Sequence, residues 1–399
     1  MVIKKNIAFV IPSLGAGGGE KSLVNLLNVV DYSKYNVDLI LLHKVGLFLN
    51  MLPPNVTILE VEGNDYQIFT KGLIKSILSS LIKGKIKLAF HRILFAIKNN
   101  VINNKAVAEQ ISWTNLQNSI PRFQKQYDVA IGFLEKTSIY IATEKINALK
   151  KIGFIHNDYD QLGLDPKKDF SFFKKLDKIV TVSEKCENVL KSKFPSLSNK
   201  INIIYNIVST NLINKLAESQ IPTEMDSNAI CIISIGRLHP QKGFDLAIES
   251  CFILKKRGYN VKWYIIGDGN ERNSLTTKIK KLGLENYFLL LGLRENPYPY
   301  VKKANIYCQT SRFEGKSIAI DEAKILKKVI VTTNFTTVKD QINHEVNGIV
   351  CNMDANSIAE NLIRVINNKQ KQNEIIKNLS SECLGTESEI NKLYKLFEN

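Results

Sequence analysis

The sequence lacks the residue spacings that hold metal ions or disulfides. Its six cysteines form no C-x-x-C pair, and no two of its five histidines lie at metal-ligand spacing. Cys231, Cys308 and Cys351 fall in apolar runs that predict strands. We therefore expect free thiols, mostly buried, in a reducing cytosol, and neither a zinc site nor a disulfide framework.

Long apolar runs and the common nucleotide-binding fingerprints are also missing. No apolar run approaches the ~18 residues that span a bilayer, and the first residues enter a predicted strand directly. We therefore expect neither a membrane-spanning helix nor a signal peptide. The chain has no Walker pattern and no G-x-G-x-x-G that fits cleanly, which excludes the usual ATPase loop and the dinucleotide fingerprint.

Acidic residues are scarce relative to basic ones. The 54 Lys and Arg residues outnumber the 38 Asp and Glu residues, and the net charge is +16. Such an excess indicates an anionic partner, which is a phosphate-bearing ligand, a nucleic acid or an anionic membrane surface. The chain lacks the R-G-G runs and aromatic-interleaved basic patches of nucleic-acid binders, so we expect no nucleic acid.

Residues 71–98 lie in a stretch, Tyr66 to Ala108, that has no acidic residue. They carry apolar residues at helical spacing beside basic ones. The apolar positions are Leu73, Ile74, Ile77, Leu78, Leu81, Ile82, Phe90, Ile93, Leu94 and Ile97, and the basic ones are Lys71, Lys75, Lys83, Lys85, Lys87, Arg92 and Lys98. A basic amphipathic helix can lie on an anionic membrane. A core-packed helix pair with a solvated basic face has the same pattern, so both interpretations stay open.

The 399 residues are too many for one ordinary core, so we expect two domains. Short β-rich apolar runs alternate with amphipathic stretches throughout. The predicted strands of the first half are Asn6–Ile11, Val37–Leu42, Val56–Val61, Tyr127–Gly132, Lys151–Ile155, Lys178–Ser183 and Ile201–Tyr205. Those of the second half are Ala229–Ile235, Val261–Ile266, Tyr287–Leu291, Asn305–Gln309 and Val329–Thr332. Near-continuous apolar runs of this length are typical of parallel sheets buried on both faces.

This alternation predicts two doubly wound α/β domains. Residues 1–207 form the predicted N-terminal domain, and residues 229–382 the C-terminal one. Residues 208–228 are polar and lack clear periodicity, which predicts a linker. Within residues 383–399, Ile390–Phe397 reads as a short amphipathic helix, which we expect to pack back on the N-terminal domain.

The stretch S-R-F-E-G-K-S-I-A-I-D-E-A, residues 311–323, carries two glutamates eight positions apart. Glu314 follows the strand Asn305–Gln309 and should lie on a loop at its carboxyl end. Glu322 should lie about two turns into the helix predicted over Ile318–Leu326. Because open α/β sheets bind ligands at this edge, both carboxylates could face one crevice. By itself the pair favours the simpler interpretation, a solvated loop followed by an acid on a helix surface.

Three further loops follow predicted strands. The glycines from Gly15 to Gly19 let a ligand approach the backbone at a helix N-terminus. Arg237 and Lys242, in G-R-L-H-P-Q-K-G, suit a diphosphate. Gly267 begins a G-D-G turn at the same edge. Tight turns and surface cations would explain each loop taken alone.

His156 follows the strand Lys151–Ile155, where a side chain is placed to reach a cleft. A lone histidine is more often structural, and no second histidine supports a metal role. The D-x-D tripeptide at 158–160 has the form that holds a metal–diphosphate in another transferase architecture. Such tripeptides are common, and we attribute this one to chance.

Taken together, these motifs resemble the retaining glycosyltransferases of family four, including bacterial capsule and O-antigen polysaccharide enzymes. The resemblance rests on the two glutamates, the G-R-L-x-x-x-K-G loop, the G-D-G turn and the A-G-G-G-E loop, in the family's order. It covers nearly the whole chain and is most specific from Gly236 to Ala323. It implies a GT-B fold: two Rossmann-like domains facing a central cleft, with the donor mainly on the C-terminal domain and the acceptor mainly on the N-terminal one.

The resemblance also implies residue roles. The implied catalytic residues are His156 and Glu314, and the implied donor-binding residues are Gly17, Gly18, Arg237, Lys242, Gly267, Ser317, Ile318 and Glu322. The two cations would neutralise the donor diphosphate, Glu322 would accept hydrogen bonds from the ribose, and Glu314 and His156 would contact the sugar. Fixed cations at the leaving group need no metal, so we expect no cofactor.

The sequence departs from the family pattern at two places. Lys316-Ser317 stands where an aliphatic–Pro pair is common, and Asn206-Ile207 stands where N-P or N-G is usual. No sugar identity therefore follows. The expected function is transfer of a sugar from a nucleoside-diphosphate sugar to a saccharide acceptor, free or lipid-linked, at the cytosolic membrane face. The alternatives are a GT-B protein that binds a nucleotide sugar without transferring it and a GT-B epimerase.

Overall fold

The computed structural model describes residues 4–15, 17–61, 65–219 and 221–398. The chain forms two compact units that do not follow a single cut in the sequence. The first unit contains the chain up to Leu14, residues 27–204 and the residues from Ile390 onward. The second unit contains residues 15–26 and residues 205–389. Each unit is an α/β body with its own hydrophobic core.

Within the described residues, the first unit is built on a seven-stranded parallel sheet in the order β3-β2-β1-β4-β5-β6-β7. Its strands are β1 Lys5–Ile11, β2 Tyr35–Leu41, β3 Val56–Glu60, β4 Phe123–Gly132, β5 Ile146–Ile155, β6 Lys178–Thr181 and β7 Ile201–Ile203. Each contains a predicted strand or overlaps it closely. The central strands are apolar on both faces, because helices cover both sides of a parallel sheet.

The helices of the first half connect these strands. They are α1 Gly18–Leu27, α2 Gln67–Thr70, α3 Leu73–Ile82, α4 Ile86–Val101, α5 Lys105–Leu116, α6 Thr137–Glu144, α7 Tyr159–Leu162, α8 Pro166–Phe173 and α9 Glu184–Lys193. Helix α6 packs directly on β4, since a Cβ built at Gly132 would lie 2.6 Å from the Ile139 Cα. Only glycine fits there, and the contact fixes the loop between β4 and α6.

The second unit has a six-stranded parallel sheet within the described residues, in the order β10-β9-β8-β11-β12-β13. Its strands are β8 Ile230–Ile235, β9 Val261–Ile266, β10 Phe288–Gly292, β11 Ile306–Gln309, β12 Val329–Thr333 and β13 Ile349–Cys351. Its helices are α10 Thr210–Ala217, α11 Phe244–Lys256, α12 Arg272–Lys281, α13 Tyr298–Lys303, α14 Ile318–Ile325, α15 Ala355–Asn367 and α16 Lys369–Ser381. All six cysteines are free thiols, and Cys383 is the exposed one.

Single 3-10 turns complete the chain, at Leu49–Met51, Gln117–Ser119, Pro195–Lys200, Pro240–Lys242, Val338–Asp340 and Glu387–Glu389. The last helix, α17 Ile390–Glu398, packs within the first unit. Its Tyr394 ring stacks on Tyr35 at 4.9 Å between centroids, and its hydroxyl accepts a hydrogen bond from the Asp31 N–H at 2.8 Å. Phe397 meets the Tyr35 ring edge-on.

Helix α10 lies within residues 208–228, the predicted linker, and is capped by Ser209. Eight residues are too few to show helical periodicity clearly. One expectation was wrong: Glu322 lies just over one turn into its helix instead of two. The helix begins at Ile318, as predicted, and the four residues from there to Glu322 make only just over one turn.

Candidate active site

The loops that follow β8, β9 and β11 are neighbours in the second unit. These strands are adjacent in the sheet, with β8 between the other two. Because all three are parallel, their carboxyl ends meet at one edge, where α/β sheets bind ligands. The three loops contain Arg237, Lys242, Gly267 and Glu314, so this edge brings together four of the residues that the sequence singled out.

Glu314 is a buried carboxylate held by three donors. It is 6% exposed. Its Oε1 accepts hydrogen bonds from Lys242 Nζ at 2.5 Å, Ser311 Oγ at 2.7 Å and Gln309 Nε2 at 3.3 Å. Burial of a charge is tolerated when it is paired and hydrogen-bonded in this way. Within the described part of the chain no hydrogen bond reaches Oε2, so this oxygen can accept one from a ligand.

Glycines allow the loops after β8 and β9 to touch. The Lys242 side chain runs over Gly236, where a Cβ would lie 3.1 Å from the lysine Cδ. Gly267 has a φ of +150°, and a Cβ there would lie 1.9 Å from the Gly236 carbonyl oxygen. No other residue fits at Gly267. The G-D-G turn therefore serves as a support that fixes the loop carrying both cations.

Arg237 lies beside the glycine-rich loop, which belongs to the second unit. Its side chain is 53% exposed, and its Nη2 lies 3.6 Å from Glu20 Oε1. A Cβ at Gly17 would lie 2.7 Å from the same Nη2 and 2.1 Å from Glu20 Oε2, so glycine at this position leaves room for both side chains. A Cβ at Gly18 would meet nothing within 4 Å, and this backbone is open to approach.

Glu322 is the most buried acid of the predicted site, at 1% exposed. Its Oε1 pairs with Lys21 Nζ at 2.6 Å and accepts a hydrogen bond from the Tyr298 hydroxyl at 2.9 Å. The Lys21 Nζ also lies 4.6 Å from the centre of the Tyr298 ring. Burial, and then the Glu322 charge, raises the pKa of Tyr298 well above its ordinary value, so the phenol stays protonated and donates.

The polar groups of Ser317 form hydrogen bonds within the protein. Its hydroxyl caps α14 by accepting from the Ile320 N–H at 3.4 Å and donates to Gln309 at 2.9 Å. The side-chain amide of Gln341 holds both the N–H and the C=O of Ser317, each at 2.8 Å. The Ser317 amide predicted to bind sugar or phosphate is thus already paired. Ile318 begins the helix and is 5% exposed.

The two departures from the family pattern lie in contact. Lys316 Nζ is 3.8 Å from the centre of the Tyr205 ring, a favourable cation–π distance. Asn206 Nδ2 donates to the Lys316 carbonyl at 3.4 Å, and its Oδ1 accepts from the Ser22 hydroxyl at 2.7 Å. Positions that look independent in the sequence therefore form one small cluster in the second unit.

His156 belongs to the first unit, at the carboxyl end of β5. Its ring lies 4.8 Å from that of Phe133 and 5.7 Å from that of Phe154, between centroids. Its backbone N–H donates to Glu135 at 3.4 Å, and Asn157 Nδ2 donates to the same carboxylate at 2.6 Å. Glu135, which is 5% exposed, follows β4 and adds a carboxylate beside the histidine.

The D-x-D tripeptide has a local structural role. Asp158 caps α7 by accepting from the Asp160 N–H at 3.1 Å, and Asp160 pairs with Lys193 at 2.7 Å. Across the described ranges, no group of three His, Cys, Asp or Glu residues is arranged to hold a metal ion. Each aspartate of the tripeptide thus has a partner within its own unit.

Sequence reasoning missed several residues of these clusters. Gln309 ends a predicted strand at the ligand-binding edge, and that position was a signal that could have found it. Lys21, Tyr298 and Gln341 gave no local signal, because each meets its partner through the fold. Glu135 stands three residues beyond a predicted strand end, where its contacts with His156 and Asn157 reveal it.

Comparisons with known proteins identify the second half. Residues 217–381 match the family described as Glycosyl transferases group 1. An uncharacterized glycosyltransferase of Methanocaldococcus jannaschii is 30% identical over 169 residues, which are 42% of this chain and 42% of that protein. A Campylobacter jejuni enzyme is 23% identical over 384 residues, 94% of this chain and 93% of its own. It is named as the α-1,4-N-acetyl-D-galactosaminyltransferase of GalNAc-α-(1→4)-GalNAc-α-(1→3)-diNAcBac-PP-undecaprenol.

The match to the first of these relatives spans less than half of its length. Among solved structures, Anabaena HepE in complex with UDP-glucose has a TM-score of 0.72 at 16% identity, covering 99% of each chain. This likeness confirms the predicted GT-B fold class of two parallel-sheet α/β domains. The predicted resemblance to glycosyltransferases is confirmed as well: residues 217–381 of this chain are a Glycosyl transferases group 1 domain.

Proposed function

We propose that the chain is a retaining glycosyltransferase that moves a sugar from a nucleoside-diphosphate sugar to a saccharide acceptor carried on a lipid, in surface polysaccharide synthesis. One observation carries the proposal: Lys242 pairs with Glu314, and Arg237 lies in the same loop as Lys242, at the ligand-binding edge of a Glycosyl transferases group 1 domain. The named C. jejuni relative, which matches over nearly the whole chain, supports the lipid-linked acceptor.

The cations match the charge that such a reaction develops. Breaking a glycosidic bond to a diphosphate makes the sugar oxocarbenium-like and leaves negative charge on the phosphate. Arg237 can fork across two phosphate oxygens, and Lys242 adds a point charge. Lys242 is held in place by Glu314 at 2.5 Å. Fixed cations stabilise a departing diphosphate without reorganisation, so the proposed reaction needs no metal.

The remaining residues have proposed roles around this centre. Glu314 Oε2 would accept a hydrogen bond from a sugar hydroxyl, and His156 would contact the sugar near the reacting carbon. Gly17 and Gly18 would let the backbone approach the diphosphate, with Gly267 supporting the cationic loop. The anomeric configuration of the product, read by NMR, tests retention.

Donor turnover tests the proposal directly. The protein is incubated with a panel of nucleotide sugars, with lipid extract or saccharide acceptors, and release of nucleoside diphosphate is measured with and without EDTA. We expect release with one donor, insensitive to EDTA, and a fall of about 100-fold in Arg237→Ala. Arg257→Ala is the matched control, because Arg257 is similarly exposed at 47% and pairs with Glu360 on the surface.

Other results would point elsewhere. Release that persists unchanged in both Arg237→Ala and Glu322→Ala would reject the site. Tight donor binding without turnover on any acceptor would identify a binding protein, and conversion of the donor without an acceptor would identify an epimerase. The similarity to named glycosyltransferases favours transfer over both alternatives.

We further propose that the enzyme works in the cytoplasm on the inner face of the membrane, docked through α3 and α4. The apolar stripe of residues 71–98 is not packed into the core. Exposed apolar residues recur at helical spacing on each helix: Ile74, Leu78, Leu81 and Ile82 on α3, and Ile86, Phe90, Ile93, Ile97 and, just beyond the segment, Val101 on α4. The buried positions of the two helices are small or polar, Ser76, Ser80, Ala89 and Arg92, while Leu88 and Phe95 pack partly buried against the core.

The charge of this segment supports an anionic lipid surface as its partner. Lys71, Lys75, Lys83 and Lys87 are exposed beside the apolar stripe, which is the composition of a helix lying in a membrane interface. Lys85 pairs with Asp65. Across the described residues no helix is both long and apolar enough to cross a bilayer, so docking on the surface is the mode we propose.

Vesicle sedimentation tests the docking. We expect the protein to bind phosphatidylglycerol vesicles more tightly than phosphatidylcholine vesicles, and Ile82→Ser/Ile86→Ser to weaken binding about tenfold. The matched control is Leu149→Ser/Ile221→Ser, since these residues are as exposed, at 70% and 82%, as Ile86 and Ile82, at 70% and 86%. Equal losses in the two double variants would argue against a specific docking face.

A further inference from the structure

We infer that Lys21 is a positioning residue for the ribose of the donor, acting through Glu322. The inference rests on the proposed function, because it assigns the partner of a proposed donor-binding residue. Lys21 and Glu322 both belong to the second unit, although 300 residues separate them. Their atoms lie 2.6 Å apart, with the lysine side chain 11% exposed and the glutamate side chain 2% exposed.

A buried carboxylate on α14 requires a compensating charge. Ile318, Ile320, Ala323 and Ile325 of the same helix are all buried, so Glu322 lies in largely apolar surroundings. An unpaired carboxylate in such a place would take up a proton or turn towards solvent. Lys21 is the cation that forms an ion pair with Glu322 within the described residues, and it thereby balances the buried negative charge.

The position of Lys21 on its own helix strengthens the assignment. Lys21 is the fourth residue of α1, and a cation in the first turn is disfavoured by the helix dipole. Helix formation therefore does not explain this lysine. Its Nζ is held instead by the Glu322 carboxylate and the face of the Tyr298 ring.

The hydrogen-bond pattern defines which oxygen is left for a ligand. Oε1 of Glu322 receives both Lys21 and the Tyr298 hydroxyl, and these two donors fix the carboxylate plane. In the described part of the chain, no donor reaches Oε2. A carboxylate oxygen accepts two hydrogen bonds, so Oε2 can take ribose hydroxyls while Oε1 remains held.

Discrimination between ribose and deoxyribose measures this role. Calorimetry gives the affinities of the wild type for UDP, GDP, ADP and CDP and for their 2′-deoxy forms. For the diphosphate that binds most tightly, we expect about a tenfold preference for ribose, the value of one hydrogen bond to a charged group. In Lys21→Met the preference should fall to about twofold, with the affinity for the deoxy form nearly unchanged.

Three further variants make the result decisive. Lys21→Arg keeps the cation and should keep most of the preference. Tyr298→Phe removes only a neutral donor and should reduce the preference less than Lys21→Met does. Lys281→Met, at an exposed lysine ending α12, should leave it unchanged. If Lys21→Met melts at a much lower temperature than the wild type, the Arg and Phe variants still test the ordering.

The outcomes separate the inference from the function on which it rests. An unchanged preference in Lys21→Met, or an equal loss of affinity for both sugars, would overturn the role of Lys21 and leave the donor site standing. Failure of the wild type to bind any of the four diphosphates would overturn the donor site, and the inference with it.

Discussion

The carboxyl edges of the two sheets are built from opposite chemistry. In the second unit the edge is ionic: Lys242 pairs with Glu314, and Arg237 lies beside Glu20. In the first unit the edge after β4 and β5 is aromatic, with His156 packed against the buried, mutually stacked rings of Phe133 and Phe154. Glu135, a buried carboxylate at this edge, accepts hydrogen bonds from Asn157 and a backbone N–H.

This difference suggests how the proposed reaction divides its work. A nucleoside diphosphate carries charge and needs fixed cations, which the second edge holds. A sugar is neutral and presents hydroxyls, which a histidine and a hydrogen-bonding carboxylate recognise. On this division the ionic edge should govern the chemistry most strongly, and changes to the aromatic edge should have smaller effects.

The largest expected effect is in Lys242→Ala. The change removes a cation from the departing diphosphate and leaves the buried Glu314 without its ion pair, so kcat should fall about 1,000-fold. Nucleoside diphosphate release measures it, with Lys281→Ala as the control. If kcat of Lys242→Ala fell by less than tenfold, the proposal that the ionic edge governs the chemistry most strongly would be wrong.

Substitutions of two glycines test whether the close backbone contact at each edge stabilises its own unit to the same degree. A Cβ at Gly267 would clash with the Gly236 carbonyl, and one at Gly132 would clash with the backbone of α6. We expect each Gly→Ala change to lower the free energy of unfolding of its own unit by about 3 kcal/mol. Gly18→Ala, where a Cβ would meet nothing within 4 Å, is the control for a glycine without such a clash.

The two tryptophans separate these effects, because Trp113 is buried in the first unit and Trp263 in the second. Urea unfolding is followed by fluorescence in Trp113→Phe and Trp263→Phe backgrounds, since a single transition is not assured in a two-unit chain. A shift in the wrong unit's transition would show that the two supports are coupled.

Glu135→Gln should have a smaller effect, about a tenfold fall in kcat with donor affinity unchanged. The amide keeps the size of the side chain but loses the charge and one acceptor beside His156. Steady-state kinetics with varied donor and calorimetry of the nucleoside diphosphate measure the two quantities. Weaker diphosphate binding in this variant would contradict the proposed division.

The smallest expected effect is on pH dependence, at His239 in the cationic loop. Burial, followed by the charges of Arg237 and Lys242, lowers its pKa, while the unfolded residue titrates near ~6.5. The unfolded state therefore binds more protons as the pH falls through this range, and stability decreases. His239→Asn keeps an acceptor for the Gln241 N–H without titrating.

We accordingly expect His239→Asn to lose less stability than the wild type between about pH 7.5 and about pH 5.5, by under ~1 kcal/mol. Urea unfolding of the second unit at both pH values measures it. An identical loss in the two proteins would show that other groups set the acid sensitivity of this loop. His344→Asn, at an exposed histidine of the same unit, is the control.

Much of the fold was predictable because its signals are local. Every buried strand of the first sheet was marked by an apolar run such as Asn6–Ile11. The loops that contain Arg237 and Glu314 were identified as candidate ligand-binding loops because parallel strands place their carboxyl ends at one edge. Helix α10 was missed because eight residues carry too little periodicity.

What the sequence could not reveal depends on pairs that the fold creates. Lys21 and Glu322 are far apart in the chain, and neither lies in a pattern that points to the other. The occupation of the Ser317 amide by Gln341 had no sequence signal either. The sequence did not determine whether the apolar stripe on α3 and α4 is buried or exposed. The same periodicity is found in a helix whose apolar face packs on the core and in one whose apolar face is exposed.

The exchange of segments between the two units has a consequence for synthesis. Residues 15–26 precede most of the first unit in the chain but belong to the second unit, and α17 follows the second unit but belongs to the first. A ribosome that makes the chain from its N-terminus therefore does not make the two units one after the other. The first unit must wait for α17, whose Tyr394 and Phe397 cover Tyr35. Neither unit corresponds to a contiguous gene fragment, so a clone truncated before Ile390 should leave the earlier-made unit unfinished.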